Sequence, residues 1–112
     1  MKATTYYNLV QDAQEANNLE MFISERGWQD WMDEYGDDTD ALASDMASIW
    51  NAVNMPMREF RGITKLSQVK FGIRFCIPRR TVEDWEAGIS SPPVYLRLFM
   101  AESLGVLNIK HD

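Results

Sequence analysis

Residues 67–88 read SQVKFGIRFCIPRRTVEDWEAG, and this stretch predicts two short helices joined by a tight turn. Ser67 is suited to cap the first helix, because its hydroxyl can accept a hydrogen bond from a free amide of the first turn. Pro78 suits the opening of the second helix, where its missing N–H costs nothing. Gly88 is suited to end that helix in a left-handed conformation. The turn at Cys76-Ile77 is so short that it predicts an angled helix pair, a helix-turn-helix.

Other residues within the stretch favour the same interpretation. Val82 and Trp85 lie three apart on the second helix, which predicts an apolar stripe directed at the first. Gly72 has no Cβ, so it allows the two helices to cross closely. Arg79 and Arg80 fall in the first turn of the second helix, the part of a recognition helix that meets base edges.

The segment resembles the Cro/C1-type (XRE-like) helix-turn-helix domain of phage repressors and bacterial regulators, including many antitoxins. The resemblance extends into SSPPVYLRLFMAESLG, residues 90–105, and with a preceding helix near 57–64 it covers about half of the chain. It implies an all-α, lambda-repressor-like fold. The matching positions are Ser67-Gln68, Gly72, the turn at Cys76, Val82, Trp85-Glu86 and Gly88.

The resemblance implies that the chain binds double-stranded DNA in the major groove, with the helix that starts near Pro78. Arg79, Arg80 and Asp84 occupy its base-reading positions, with Thr81 nearby, and an Arg can donate two hydrogen bonds to guanine. Gln68 matches a residue that bonds backbone phosphate. By their charge, Lys70 and Arg74 are candidates for further backbone contacts.

Two features of the segment favour a different use. The loop Ile89–Pro93 has no basic residue, whereas related repressors often place Lys or Arg there to hold phosphate. The predicted recognition helix carries two basic and three acidic residues, because it contains Glu83, Asp84 and Glu86. Arg79 and Arg80 could therefore form ion pairs with Glu83 and Asp84, which follow at the spacing of one helical turn.

Charge is unevenly distributed along the chain. The net charge is −6, but residues 1–54 hold 2 basic and 11 acidic side chains, giving −9, and residues 55–112 hold 9 basic and 6 acidic, giving +3. Such asymmetry predicts a basic binding domain, residues 55–112, and an acidic helical N-terminal region, residues 1–54.

Helical spacing of apolar residues recurs along the whole chain, and the fold class predicted is all-α. Helices are expected near residues 5–16, from a cap at Asn18 to an end at Gly27, near 28–35, over 40–54 and near 57–64. The aromatic side chains Trp28, Trp31 and Tyr35 are expected to form core packing or a surface for a second chain. The core of the second half is expected to contain Phe60, Leu66, Phe71, Val82, Trp85, Leu96 and Phe99.

The residue inventory excludes several classes of function. One cysteine and one histidine cannot form a disulfide or a zinc site, and Cys76 is expected to be a small buried residue. The sequence shows no nucleophile elbow, no phosphate loop and no histidine–carboxylate arrangement, so neither an enzyme nor a cofactor is predicted. No apolar run approaches the roughly 18 residues of a membrane span, and no signal peptide is visible, so a cytoplasmic protein is expected.

Two functions remain open. The first is a sequence-specific transcriptional regulator that binds a symmetric operator as a homodimer, because one recognition helix covers too little DNA. The second is an interaction protein, such as an antitoxin, whose acidic residues 1–54 bind a basic partner such as a toxin. The two can coexist, since antitoxins commonly repress their own operons.

Overall fold

The computed structural model describes residues 1–111, in which helices are joined by turns and loops and no strand occurs. The all-α prediction is therefore confirmed. Within the same residues, no helix is both long and apolar enough to cross a membrane. The elements are α1 (Ala3–Glu15), α2 (Leu19–Ser24), a 3-10 helix (Asp30–Tyr35), α3 (Thr39–Asn54), α4 (Met57–Thr64), α5 (Gln68–Phe75), α6 (Arg79–Glu86) and α7 (Val94–Ser103).

The chain forms two compact units, and their division differs from the expected one at the C-terminal end. The first unit contains residues 1–54 together with 106–111, and the second is Met55–Gly105. Residues 106–112 are expected with the second half, whereas residues 106–111 belong with the first unit, and Asp112 lies outside the described residues. In the segment, Leu107 is buried and the His111 ring stacks on Tyr6 with centroids 3.9 Å apart.

The first unit is built on the packing of α1 against α3. Each helix buries one apolar face, because apolar residues at i, i+3, i+4 and i+7 share one side of a helix. Side-chain caps define the helix starts: Asn18 accepts from the Met21 amide at 2.8 Å, and Asp38 accepts from the Ala41 amide at 3.0 Å. The buried residues are Tyr6, Leu9, Val10 and Ala13 on α1, and Leu42, Met46, Ile49, Ala52 and Val53 on α3.

The aromatic stretch between α2 and α3 departs from the predicted α-helix. Residues Asp30–Tyr35 form a 3-10 helix, in which three residues make a turn, so residues four and seven apart no longer share a face. Only Met32 is buried there, and Trp28 precedes the helix with 58% of its surface exposed. The hydroxyl of Tyr35 donates to Asp45 at 2.5 Å, and burial together with this carboxylate raises the pKa of Tyr35.

The second unit has a core that the sequence predicted in part. Phe60, Phe71 and Val82 are buried as expected, whereas Leu66, Trp85 and Leu96 are only half-buried. The prediction for Phe99 is wrong, because its side chain is 66% exposed. On α7 the inward face is instead Arg97, Met100 and Ala101, a helical stripe one residue out of phase with the expected one.

The α5–turn–α6 segment has the caps that its sequence indicated. The Ser67 hydroxyl accepts from the Lys70 amide at 3.2 Å, and α6 begins directly after Pro78. Gly88 has φ +75°, and the following amide of Ile89 donates back to the Asp84 carbonyl at 2.9 Å. This bond closes α6 in a Schellman motif.

Cys76 is exposed, so the prediction of a buried thiol is wrong. The reason is its backbone, which is left-handed with φ 57° and ψ 42° and ends α5 where glycine is more usual. The next amide, of Ile77, donates to the Gly72 carbonyl at 2.8 Å and draws the turn back onto α5. A Cβ at Gly72 would lie 2.4 Å from the carbonyl oxygen of Ile77, so the close approach requiring glycine is to the turn backbone.

Two glycine substitutions test this close approach. Gly72→Ala is expected to lower the free energy of unfolding by roughly 1–3 kcal/mol, because backbone atoms must shift to admit the methyl group. Gly62→Ala is the matched control, since Gly62 is also helical but has nothing within 4 Å of an added Cβ. It is expected to stabilise by up to about 1 kcal/mol. Urea unfolding followed by circular dichroism measures both, and equal effects of the two changes would contradict the packing described.

Candidate nucleic-acid interface

The structure places most of the predicted DNA-contacting residues on the exposed sides of α5 and α6. Arg79 and Arg80 open α6, and both side chains reach solvent, with 63% and 83% of their surfaces exposed. Lys70 and Arg74 are exposed one turn apart on α5. The remaining predicted residues, Gln68, Thr81 and Asp84, are half-buried.

Both arginines of α6 form the ion pairs that the sequence offered as the alternative to DNA contacts. Arg79 Nε lies 2.9 Å from Glu83 Oε1, and Arg80 Nε lies 3.3 Å from Asp84 Oδ1. Both pairs join residues four apart on one helix and are open to solvent. Exposed pairs of this kind typically stabilise by about 0–1 kcal/mol, so they orient the guanidinium groups without fixing them.

The third carboxylate of α6, Glu86, has a different environment. Its side chain is only 3% exposed and receives two hydrogen bonds from Arg61 of α4, from Nε at 2.7 Å and from the terminal nitrogen Nη2 at 2.9 Å. Arg61 also donates to the Leu66 carbonyl at 3.1 Å. This two-point contact ties the C-terminal end of α6 to α4, and a paired charge is the form in which a carboxylate can be buried.

The pKa of Glu86 lies below its usual range, and hydrogen bonding from Arg61 is the main reason. Gln68 and Arg58 act in the same direction, and Arg58 Nε lies 3.6 Å from Glu86 Oε1. The pKa of Arg61 is raised in turn by Glu86.

This arrangement changes the charge balance of α6. Counted from the sequence, the helix has two basic and three acidic side chains. Since Glu86 is buried and neutralised by Arg61, the charges that α6 presents to solvent are two arginines and two carboxylates. The surface of α6 is therefore electrically balanced, with its cations in the first turn and its anions, Glu83 and Asp84, in the second.

Arg97 of α7 is, like Glu86, a charged residue whose side chain is buried, and its burial is not among the predictions from the sequence. Its guanidinium is buried, lies 5.3 Å from the centre of the Phe60 ring and donates to the Met55 carbonyl. Burial lowers the pKa of Arg97. Because this cation is buried within the unit, it cannot serve as a surface phosphate contact.

A sequence signal for these buried charges existed. Glu86 continues the inward stripe of Val82, since it lies four residues further along α6. Arg97 stands in the same relation to Ala101 on α7. A charged residue in phase with a buried stripe indicates a buried ion pair or hydrogen-bond network rather than a solvated surface.

The loop that follows α6 contributes no cation. Ile89, Ser90 and Ser91 are exposed, and Pro92 is buried. The exposed cations nearest in sequence to α5 and α6 are Arg58 on α4 and Lys65, which ends α4 in a left-handed conformation.

The exposed side chains of these helices include two arginines and one lysine, which are suited to binding an anionic partner. Within residues 1–111, no cluster of three or more His, Cys, Asp or Glu side chains is placed to hold a metal ion. Comparison of the chain with protein-family models, with curated proteins and with solved structures finds no match in any of the three.

The buried ion pair predicts how stability depends on pH. Because the folded pKa of Glu86 lies below its unfolded value, about 4.3 for a free Glu, its contribution is complete above that value and is lost as pH falls through the folded pKa. Glu86→Gln is expected to cost about 2 kcal/mol at neutral pH, since Arg61 loses its counter-charge, and to reduce the loss of stability in acid.

Urea unfolding between about pH 2.5 and pH 7 measures this difference. Glu83→Gln is the matched control, because Glu83 lies on the same helix in a solvent-exposed pair. Its unfolding free energy is expected to stay within about 0.5 kcal/mol of the unaltered chain. An acid dependence that Glu86→Gln leaves unchanged would contradict the assignment.

Proposed function

We propose that this chain is a sequence-specific DNA-binding transcriptional regulator of the Cro/C1 helix-turn-helix type, and that α6 reads the major groove. The observation that carries the proposal is the exposure of Arg79 and Arg80 in the first turn of a short helix whose far end is fixed by Glu86. Direct readout needs such side chains, because Arg can donate two hydrogen bonds to O6 and N7 of one guanine.

The ion pairs of α6 are compatible with this function. Each exposed pair contributes about 0–1 kcal/mol, whereas a bidentate contact to guanine is worth about 1–3 kcal/mol of discrimination. Arg79 and Arg80 can therefore exchange a carboxylate for a base edge with a net gain. In the free protein, Glu83 and Asp84 hold the two guanidinium groups beside the helix.

In this proposal, side chains of α5 contact the phosphate backbone of the DNA. Lys70 and Arg74 are exposed on α5, and Gln68 is the first residue of the helix. Thr81 and Asp84 complete the predicted contact set on α6.

We further propose that the chain acts in the cytoplasm as a homodimer. Two exposed arginines and few supporting cations give one copy a small number of DNA contacts. A dimer doubles them and places two α6 helices on half-sites about 10 base pairs apart.

The test starts by recovering the bound DNA genome-wide with the full chain, and then measures affinity for the recovered duplex. Arg79→Ala and Arg80→Ala are each expected to weaken binding by roughly 1–3 kcal/mol and to relax selectivity at one base position. Lys2→Ala is the matched control, because it removes one exposed positive charge from the other unit. Failure to enrich any sequence, or equal losses in all three variants, would refute base readout by α6.

The stoichiometry on DNA tests the dimer separately. Light scattering on the complex with the recovered duplex is expected to give two chains per duplex, and the duplex is expected to contain two related half-sites. One chain per duplex, at protein concentrations that saturate binding, would refute the homodimer.

A second function is favoured by the first unit: binding of a basic partner protein, as an antitoxin binds a toxin. Residues 20–45 contain nine acidic side chains and one basic one. The basic one, Arg26, already pairs with Asp12 at 3.2 Å. The two functions can operate in one chain, and a toxin gene beside this one would support the second.

A further inference from the structure

A groove in the first unit lies between α2, the 3-10 helix and the start of α3. It has a volume of about 420 Å³, within the range of ligand and side-chain pockets. Its base is apolar and buried, and methionine side chains in such a base adapt to the shape of what they contact. The residues that line the groove include Ile23, Trp28, Met32, Asp40, Leu42 and Met46.

Trp28 forms the exposed wall of this groove. Its indole N–H donates to Asp33 Oδ1 at 2.9 Å, and 58% of the residue surface remains open. The hydrogen bond satisfies the only polar atom of the ring, so the open part of the ring is apolar. Tryptophan is enriched among residues that dominate binding energy, and its face also attracts cations.

The charge around the groove is strongly negative. Eight of the nine carboxylates in residues 20–45 are exposed, among them Asp40 on the groove lining and Asp33 beside Trp28. The single cation of the segment, Arg26, is engaged by Asp12. Apolar surface surrounded by carboxylates favours an occupant that combines an apolar side chain with positive charge, and it disfavours an acidic one.

We propose that this groove binds a short segment of a partner protein in which an apolar side chain is flanked by lysine or arginine. The apolar side chain packs on Met32, Leu42 and Met46, and a flanking cation lies over Trp28. The proposal rests on the second function given above, the binding of a basic partner by the first unit. A second copy of this chain is a poor occupant, because residues 1–54 carry −9 and two such surfaces repel each other.

The experiment uses the full chain and three synthetic peptides, with binding measured by fluorescence anisotropy of a label on the peptide. The first peptide is Lys-Arg-Leu-Phe-Leu-Arg-Lys, the second replaces its apolar residues with Ser, and the third replaces its basic residues with Glu. The first is expected to bind at least about tenfold more tightly than either of the others, with an affinity that falls as salt rises.

Trp28→Ala is expected to lower the affinity of the chain for the first peptide about tenfold or more. Ala43→Leu, which extends an apolar side chain from the groove lining, is expected to weaken it as well. Tyr95→Ala is the matched control, because Tyr95 is an aromatic residue of similar exposure on the second unit. Circular dichroism on each variant shows that the helices are retained.

The possible outcomes distinguish binding in the groove from binding of basic partners by charge alone. If the Ser peptide binds as tightly as the first, or if Trp28→Ala has no effect, the groove proposal is overturned while binding of basic partners by charge remains. If no basic peptide binds, both are overturned. If light scattering of the free protein gives a dimer that Trp28→Ala dissociates, the occupant is a second copy of this chain and the proposal is wrong.

Discussion

The buried carboxylate of Glu86 is the constraint on which the second unit depends. It joins two helices, because it accepts two hydrogen bonds from Arg61 on α4 while its own backbone ends α6. Such a network is worth more than its separate bonds only when every member is satisfied. A helix of eight residues is about 12 Å long, so this contact at one end of α6 also restrains the backbone that carries Arg79 at the other end.

Charged residues thus have two separate uses in the second unit. Glu86 and Arg97 lie inside the unit and connect its helices. Arg79, Arg80 and Lys70 lie on its surface, where their charges face solvent. Net charge alone does not distinguish these uses. The value of +3 for residues 55–112 includes the buried Arg97, so the cations that can contact a partner are fewer than the sequence count indicates.

Helical periodicity and capping residues were enough to predict much of the fold. The buried faces of α1 and α3 follow from apolar spacing, and the cap at Ser67 follows from a short polar side chain before a helix. The exposure of Arg79 does not follow from spacing, because a residue three positions before Val82 lies close to the buried stripe.

The errors have identifiable physical causes. Phe99 is exposed because Arg97, whose guanidinium is hydrogen-bonded within the unit, occupies the inward phase of α7 instead. The 3-10 helix changed the period that the aromatic residues were expected to follow. The position of Glu86 in phase with Val82 indicates its burial, but its partner Arg61 lies on α4, 25 residues away in sequence, and local patterns do not identify that partner.

The loop after α6 has a consequence of a different kind. Its entry is closed by the Schellman bond from Ile89 to Asp84, and its exit is the pair Pro92-Pro93, of which the first is buried and the second is the N-cap of α7. Both ends are therefore restricted before any molecule is bound. Ordering a flexible backbone costs about 1–2 kcal/mol for each residue. A loop that is already ordered avoids most of that cost. Weak contacts between Ser90 or Ser91 and a bound molecule would therefore add nearly their full free energy to the affinity for that molecule.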